Sequence, residues 1–352
     1  MPGRFSLSRP ESRLPPTTRY QGSKRKLLPW LWQHLQPFEF QTVLDAFGGT
    51  GAVSYYLKSQ GKTVTYNDYL RFNHIIGLAL IENSHTQLHA DEIDKLQTPQ
   101  SNFCYQNFIT QTFPDIYFTP AENQWLDLVV QNITHCLSGY ARSIAYYALF
   151  QACLIKRPYN LFHRRNLYMR TADVSRSFGN KATWDRTFAH YFKQFIQEAN
   201  QAILPGDNCQ ALCGDVLSME GKFDLLYIDP PYISAKGQVV DYQQFYHFLE
   251  GLTDYAGWPQ RVDYSRKHLP LQAQPSPWHD STQNLAAFAQ LFAQHADSIL
   301  AVSYRSDGQP SAQQLVDALK QVKGQVVVYD DFAYQYALST NRKSRELLIV
   351  GW

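Results

Sequence analysis

Short apolar runs bounded by glycine, proline or charge recur along this chain. T-V-L-D-A-F (42–47) and T-V-T-Y-N-D (63–68) are rich in β-branched and aromatic residues and too brief for helices, which predicts two buried strands. Between them G-G-T-G (48–51) forms a turn and A-V-S-Y-Y-L-K (52–58) opens a helix; a second helical stretch runs on to about Asn83. Strand–helix–strand order implies parallel pairing with a right-handed crossover. Further strands are predicted at 210–213, 223–228, 298–304, 325–330 and 345–350, giving an α/β fold on a mostly parallel seven-stranded sheet.

The segment 85–208 is too long for a crossover and is expected to be a subdomain inserted between 19–84 and 209–352, with helical periodicity at 122–155 and 184–203. Its most apolar stretch, S-I-A-Y-Y-A-L-F-Q-A-C-L-I (143–155), is shorter than a membrane span and reads as a buried helix. Residues 1–18, with four prolines and scattered Arg and Ser, read as a mobile arm.

Composition narrows the class. With 44% hydrophobic and 18% charged residues the chain reads as a soluble globular protein. The N-terminus lacks the apolar core of a secretory signal, and five cysteines without framework spacing indicate free thiols in a reducing compartment, hence a cytoplasmic protein. Cys209 and Cys213 have no second pair to complete a zinc site, so no metal is expected. Net charge is only +2, yet residues 1–30 carry +6 and 156–193 carry +7. Two basic blocks on an otherwise acidic chain suggest a polyanionic partner.

Two motifs carry chemistry. D-A-F-G-G-T-G (45–51) places glycines where a strand turns into a helix, allowing a ligand close to the backbone, but not at the spacing of the dinucleotide fingerprint. Asp68 ends the next strand, where an acid either accepts from a ribose diol or caps a helix. D-L-L-Y-I-D-P-P-Y (224–232) runs a core strand into an acid and two prolines. The Asp229 carboxylate and the Pro230 carbonyl form an acceptor pair on a stiff turn, with the Tyr232 ring beside them. Such a tip suits a planar ring with an exocyclic amine, a nucleobase, which must leave the duplex stack to reach it.

These motifs resemble the D12-class, α-group DNA adenine methylases, N6-adenine DNA methyltransferases of the Rossmann-like S-adenosylmethionine-dependent fold, over nearly the whole chain after residue 18. R-Y-Q-G-S-K-R-K-L-L (19–28) is similar to the family's opening hairpin, C-G-D-V (213–216) to its third cofactor segment, and Y-A-L-S-T-N-R-K-S-R-E-L-L-I (336–349) to its closing hairpin. The resemblance implies S-adenosylmethionine as cofactor, held by Tyr20, Lys24 (at the methionine carboxylate), Asp45, Phe47, Gly49, Gly51, Asp68 (ribose) and Asp215 (adenine amine). It implies catalysis by Asp229, Pro230 and Tyr232, and makes 85–208 the target-recognition insert. There Arg157, Asn160, Arg164, Arg165, Arg176, Asn180, Lys181 and Arg186 become candidates for contact with double-stranded DNA. Gln21 and Ser23 depart from the small residues commonest in the opening hairpin, and 253–280 has no match. A cognate restriction endonuclease, acting separately, is a partner such enzymes can have; an orphan methylase has none. Two alternatives stand beside this reading: methylation of cytosine N4 or of an RNA base, the first favoured by serine at position 229, and a nucleic-acid-binding relative without activity, which would show a damaged D-P-P-Y.

Overall fold

The computed structural model describes residues 13–172, 181–206, 208–234, 237–332 and 344–352. Arg176 and Asn180, residues 1–12 of the arm, and most of the closing hairpin lie outside the described residues. Among the described residues there are nine strands: β1 (Thr42–Asp45), β2 (Thr63–Asp68), β3 (Gln210–Cys213), β4 (Leu225–Ile228), β5 (Ile233–Ser234), β6 (Ile299–Arg305), β7 (Gly308–Gln309), β8 (Val326–Tyr329) and β9 (Glu346–Gly351). Seven form one sheet in the order β3-β2-β1-β4-β6-β9-β8. Pairing is parallel from β3 through to β6, while β9 runs antiparallel to both of its neighbours. This is the expected mostly parallel seven-stranded sheet. The two-residue ribbon of β5 and β7 is an addition that strands so short do not announce.

The central strands read as continuous apolar runs because both faces are covered. In β4, Leu225 and Tyr227 join one hydrophobic cluster, Leu226 and Ile228 the other. The first cluster takes Leu28 and Leu31 from the helix Leu28–Leu35, Val53 and Leu57 from Ala52–Ser59, and Phe72 and Ile76 from Arg71–Gly77. The second takes Phe288 and Leu291 from Asn284–Gln294 and Leu315 and Leu319 from Ala312–Leu319.

The insert supplies three long helices: Pro120–Cys136, started by a Thr119–Glu122 capping box, then Gly139–Ile155 and Phe188–Ala202. Gly139–Ile155 is buried along most of its length, and its Phe150 meets Phe72 edge-on at 5.9 Å. The same hydrophobic cluster runs from Val43 in the sheet to Ile196 in the insert. The boundary drawn at 85–208 therefore does not divide the core. Among the described residues no helix is long and apolar enough to cross a membrane.

The glycine turn is shaped by close approach. A Cβ on Gly48 would lie 2.0 Å from Tyr66 Cε2, and Gly51, at φ +70°, starts the helix in the left-handed region. The Tyr66 ring cannot retreat, because its hydroxyl donates to the carbonyls of Gly49 (2.7 Å) and Asn73 (3.0 Å). Gly48→Ala is expected to lower stability by ~1–3 kcal/mol through overpacking, read as a lower urea midpoint; an unchanged midpoint would show that this loop tolerates a Cβ.

Candidate active site

The sheet order changes direction at β1, which has β2 on one side and β4 on the other, so a crevice opens beyond the carboxyl ends of β1 and β4. Asp45 ends β1 and Asp229 follows β4, and both line one pocket together with the glycine turn, Asp68 and Asp215. The turn is fixed by Gly48 N–H donating to Asn67 O (2.7 Å) and Gly49 N–H to Asp68 Oδ2 (2.9 Å). Asp68 Oδ2 also accepts from Asn73 Nδ2 (3.1 Å), and Oδ1 from Leu70 N–H (2.8 Å). Asp68 thus ties the turn to the approach of the next helix. Burial pushes its carboxyl up to about 6 despite these donors.

Asp45 is buried, with Oδ2 accepting from Ser54 Oγ at 2.6 Å. Its Oδ1 is buried with no hydrogen-bond partner among the described residues, as is Asn67 Oδ1. Burial, with smaller contributions from Asp229 and Asp68 and against the Ser54 bond, pushes Asp45 up to about 7. Asp215 is exposed and accepts from Leu217 N–H at 3.1 Å. Tyr20 stacks on Tyr246 (centroids 4.4 Å apart) and Tyr242 (5.4 Å), and Phe47 stands edge-on to Trp278 at 4.8 Å.

At the tip of β4, Lys24 Nζ lies 2.9 Å from Asp229 Oδ1, 3.1 Å from Glu346 Oε1 and 2.6 Å from the Tyr232 hydroxyl. Tyr232 donates to Asp229 Oδ1 at 2.5 Å, and Ser303 Oγ donates to Glu346 Oε1 at 2.5 Å. Lys24 is buried, and Glu346 is wholly so. Burial alone would lower the Lys24 pKa, but the two carboxylates outweigh it and hold it above the ordinary lysine value. Asp229 is raised by burial and by Glu346, with Lys24 opposing. Three contacts bear on the roles expected of these residues. An ammonium has three N–H donors, and the described partners of Lys24 are two carboxylates and a phenol. The Tyr232 ring is packed edge-on to Tyr304 at 5.6 Å and is only 7% exposed. Asp229, expected to accept beside the Pro230 carbonyl, has Oδ1 engaged by Lys24 and Tyr232.

A family model for D12 class N6 adenine-specific DNA methyltransferases matches residues 20–254. The chain belongs to this family. Among curated proteins it is similar to the type II methyltransferase M2.HphI of Haemophilus parahaemolyticus, 29% identical over 243 residues that make up 67% of this chain and 70% of that one. It is also similar to the modification methylase LlaI of Lactococcus lactis subsp. lactis (24% identical; 93% of this chain, 52% of that one) and the modification methylase StsI of Streptococcus sanguinis (26%; 86% and 46%). The chain spans about half the length of these last two.

In this D12 methyltransferase the basic block of the insert divides sharply. Arg157, expected at DNA, is 1% exposed, donates to the carbonyls of Leu161, Tyr117 and Arg164 and to Asn166 Oδ1, and stacks over Tyr117. It is a core arginine. Lys156 and Arg170 both pair with Glu122 Oε1, at 2.7 and 2.6 Å. Arg164, Arg165, Lys181 and Arg186 are exposed, and Asn160 is half-buried. The motifs did not single out Gln274 and Trp278, which line the pocket from the unmatched 253–280 segment, or Glu346, which is buried behind it beside Lys24.

The folded protein holds the Asp45 proton to about pH 7, whereas the unfolded chain releases it near 3.8. Across that window the folded state binds more protons, so this group's contribution to stability falls as pH rises. Asp45→Asn does not titrate. Its stability relative to the parent is therefore expected to improve between pH 5 and pH 8 in urea unfolding; a difference that stays constant would refute the assignment.

Proposed function

We propose that this D12 enzyme transfers a methyl group from S-adenosylmethionine to N6 of an adenine flipped out of double-stranded DNA, as the modification methylase of a restriction–modification system. The supporting observation is the meeting, in one crevice, of the D-P-P-Y acid and a pocket whose deepest carboxylate, Asp45, keeps an unpartnered oxygen. That oxygen suits an ammonium, so the donor set fits the amino-acid end of S-adenosylmethionine. Ser23 Oγ, also buried without a partner among the described residues and lining the same pocket, is a further donor suited to its carboxylate. Asp68 and Asp215 would take the ribose hydroxyls and the adenine amine.

The cofactor supplies a methyl group on a positively charged sulfur. The protein's own part is positioning and charge. The described contacts to Asp229 engage Oδ1, which directs Oδ2 to one N–H of the target amine while the Pro230 carbonyl takes the other. Holding both hydrogens draws the nitrogen toward tetrahedral geometry and frees its lone pair. Lys24 keeps Asp229 ionised against its burial, and Glu346 keeps Lys24 in place. Tyr20, Tyr242 and Trp278 supply the aromatic walls for planar rings.

Asp229→Ala is expected to reduce methyl transfer by at least ~10²-fold while calorimetry shows cofactor affinity within a few-fold of the parent; near-parental turnover would overturn the mechanism. Glu346→Gln removes a charge that raises Asp229, so the acid limb of the pH–rate profile is expected to move to lower pH, and an unmoved limb would exclude this coupling. Mapping the products on plasmid DNA tests the reading as a whole: N6-methyladenine at one short sequence supports it, while N4-methylcytosine or methylated RNA overturns it.

A further inference from the structure

The segment that no motif explains, 253–280, contains a hairpin. Val262 bridges Leu271 in antiparallel sense, Asp263 N–H donates to Pro270 O at 2.7 Å, and Gln272 N–H donates to Arg261 O at 2.8 Å. Its tip, Tyr264-Ser265-Arg266-Lys267, is exposed, with Tyr264 at 60%. Such a tip could be an ordinary solvated turn. Two anchors argue otherwise.

The first ties the hairpin to the catalytic pocket. Gln244 Nε2 donates to Leu271 O at 3.0 Å, and Gln274 N–H, three residues past the stem, donates to the Oε1 of Gln243 at 3.3 Å. Gln243 and Gln274 both line the pocket. The second ties it to the insert. The Tyr117 hydroxyl hydrogen-bonds the carbonyls of Phe162 (2.9 Å) and His268, and also meets His247 Nε2 at 2.9 Å. One buried phenol thus joins the hairpin loop, at the residue after Lys267, to the segment carrying exposed Arg164 and Arg165. Four exposed cations, Arg164, Arg165, Arg266 and Lys267, are gathered from two chain segments about 100 residues apart. The one acid at 262–271 or 161–165 is Asp263, whose carboxylate accepts from Ser265 and lies 3.4 Å from Arg266. Consistent with a positive local field, His163 and His268 sit below the ordinary histidine value, by burial first and then by Arg164 and Arg266 respectively.

A polyanion docked to deliver one base to the Asp229 pocket must pass its backbone over the neighbouring rim. We infer that the Val262–Leu271 hairpin is a second DNA-contacting element, in which Arg266 and Lys267 hold sugar–phosphate beside the pocket and Arg164 and Arg165 hold it from the insert side. The inference rests on the proposed action on double-stranded DNA and adds to it where the duplex is gripped. Contacts of this kind set affinity and register but read no bases.

The test is the salt dependence of binding to a fluorescent duplex that the full-length enzyme methylates, compared between the parent and Arg266→Ala/Lys267→Ala. Two lost phosphate contacts are expected to reduce the slope of log K against log salt by about 1.8, with cofactor affinity and melting temperature unchanged. Lys222→Ala/Lys320→Ala serves as control: both lysines are exposed, and each precedes the amino end of a strand, away from the crevice. A hairpin variant with the parental slope, or a control whose slope falls as far, overturns the inference and leaves the methyltransferase reading intact. A parent that neither binds nor methylates duplex DNA overturns both.

Discussion

An ammonium buried between two carboxylates is tolerable only if each charge finds its partner at close range, and that condition governs the centre of this protein. Lys24, Asp229 and Glu346 come from the start of the chain, the tip of a central strand and the last strand of the sheet. None of the three can be buried alone without a cost of several kcal/mol. The cluster therefore holds three distant segments in one geometry, and among the described residues its three charges are one positive and two negative. A site with that residual charge, closed by Tyr232 and backed by Ser303, is electrostatically suited to a cationic ligand next to it.

The fold was legible because the central strands are covered on both faces, so T-V-L-D, L-L-Y-I and their counterparts carry no alternation to confuse with a helix. Gly48 and Gly51 were legible for a related reason: the positions they occupy tolerate little else. The β5–β7 ribbon was not, since two residues per strand leave no period to detect.

Within the site, the acids that end strands could be read, because strand ends are local features. Their partners could not. Glu346 reaches Lys24 across more than 300 residues, and Trp278 reaches Phe47 from a segment with no recognisable pattern. The basic block shows the limit of counting charge: Lys156, Arg157 and Arg170 add to a total that looks like a nucleic-acid footprint, yet they are spent on Glu122 and on buried carbonyls. Composition cannot distinguish a cation that faces phosphate from one that staples the interior.

The position of β9 ties the edge of the sheet to the charge cluster. It lies between β6 and β8, so among the described strands β8 pairs with β9 alone, and the same strand brings Glu346 to Lys24. A substitution that loosens residues 346–351 is therefore felt twice, as a frayed sheet edge and as a displaced carboxylate beside a buried ammonium.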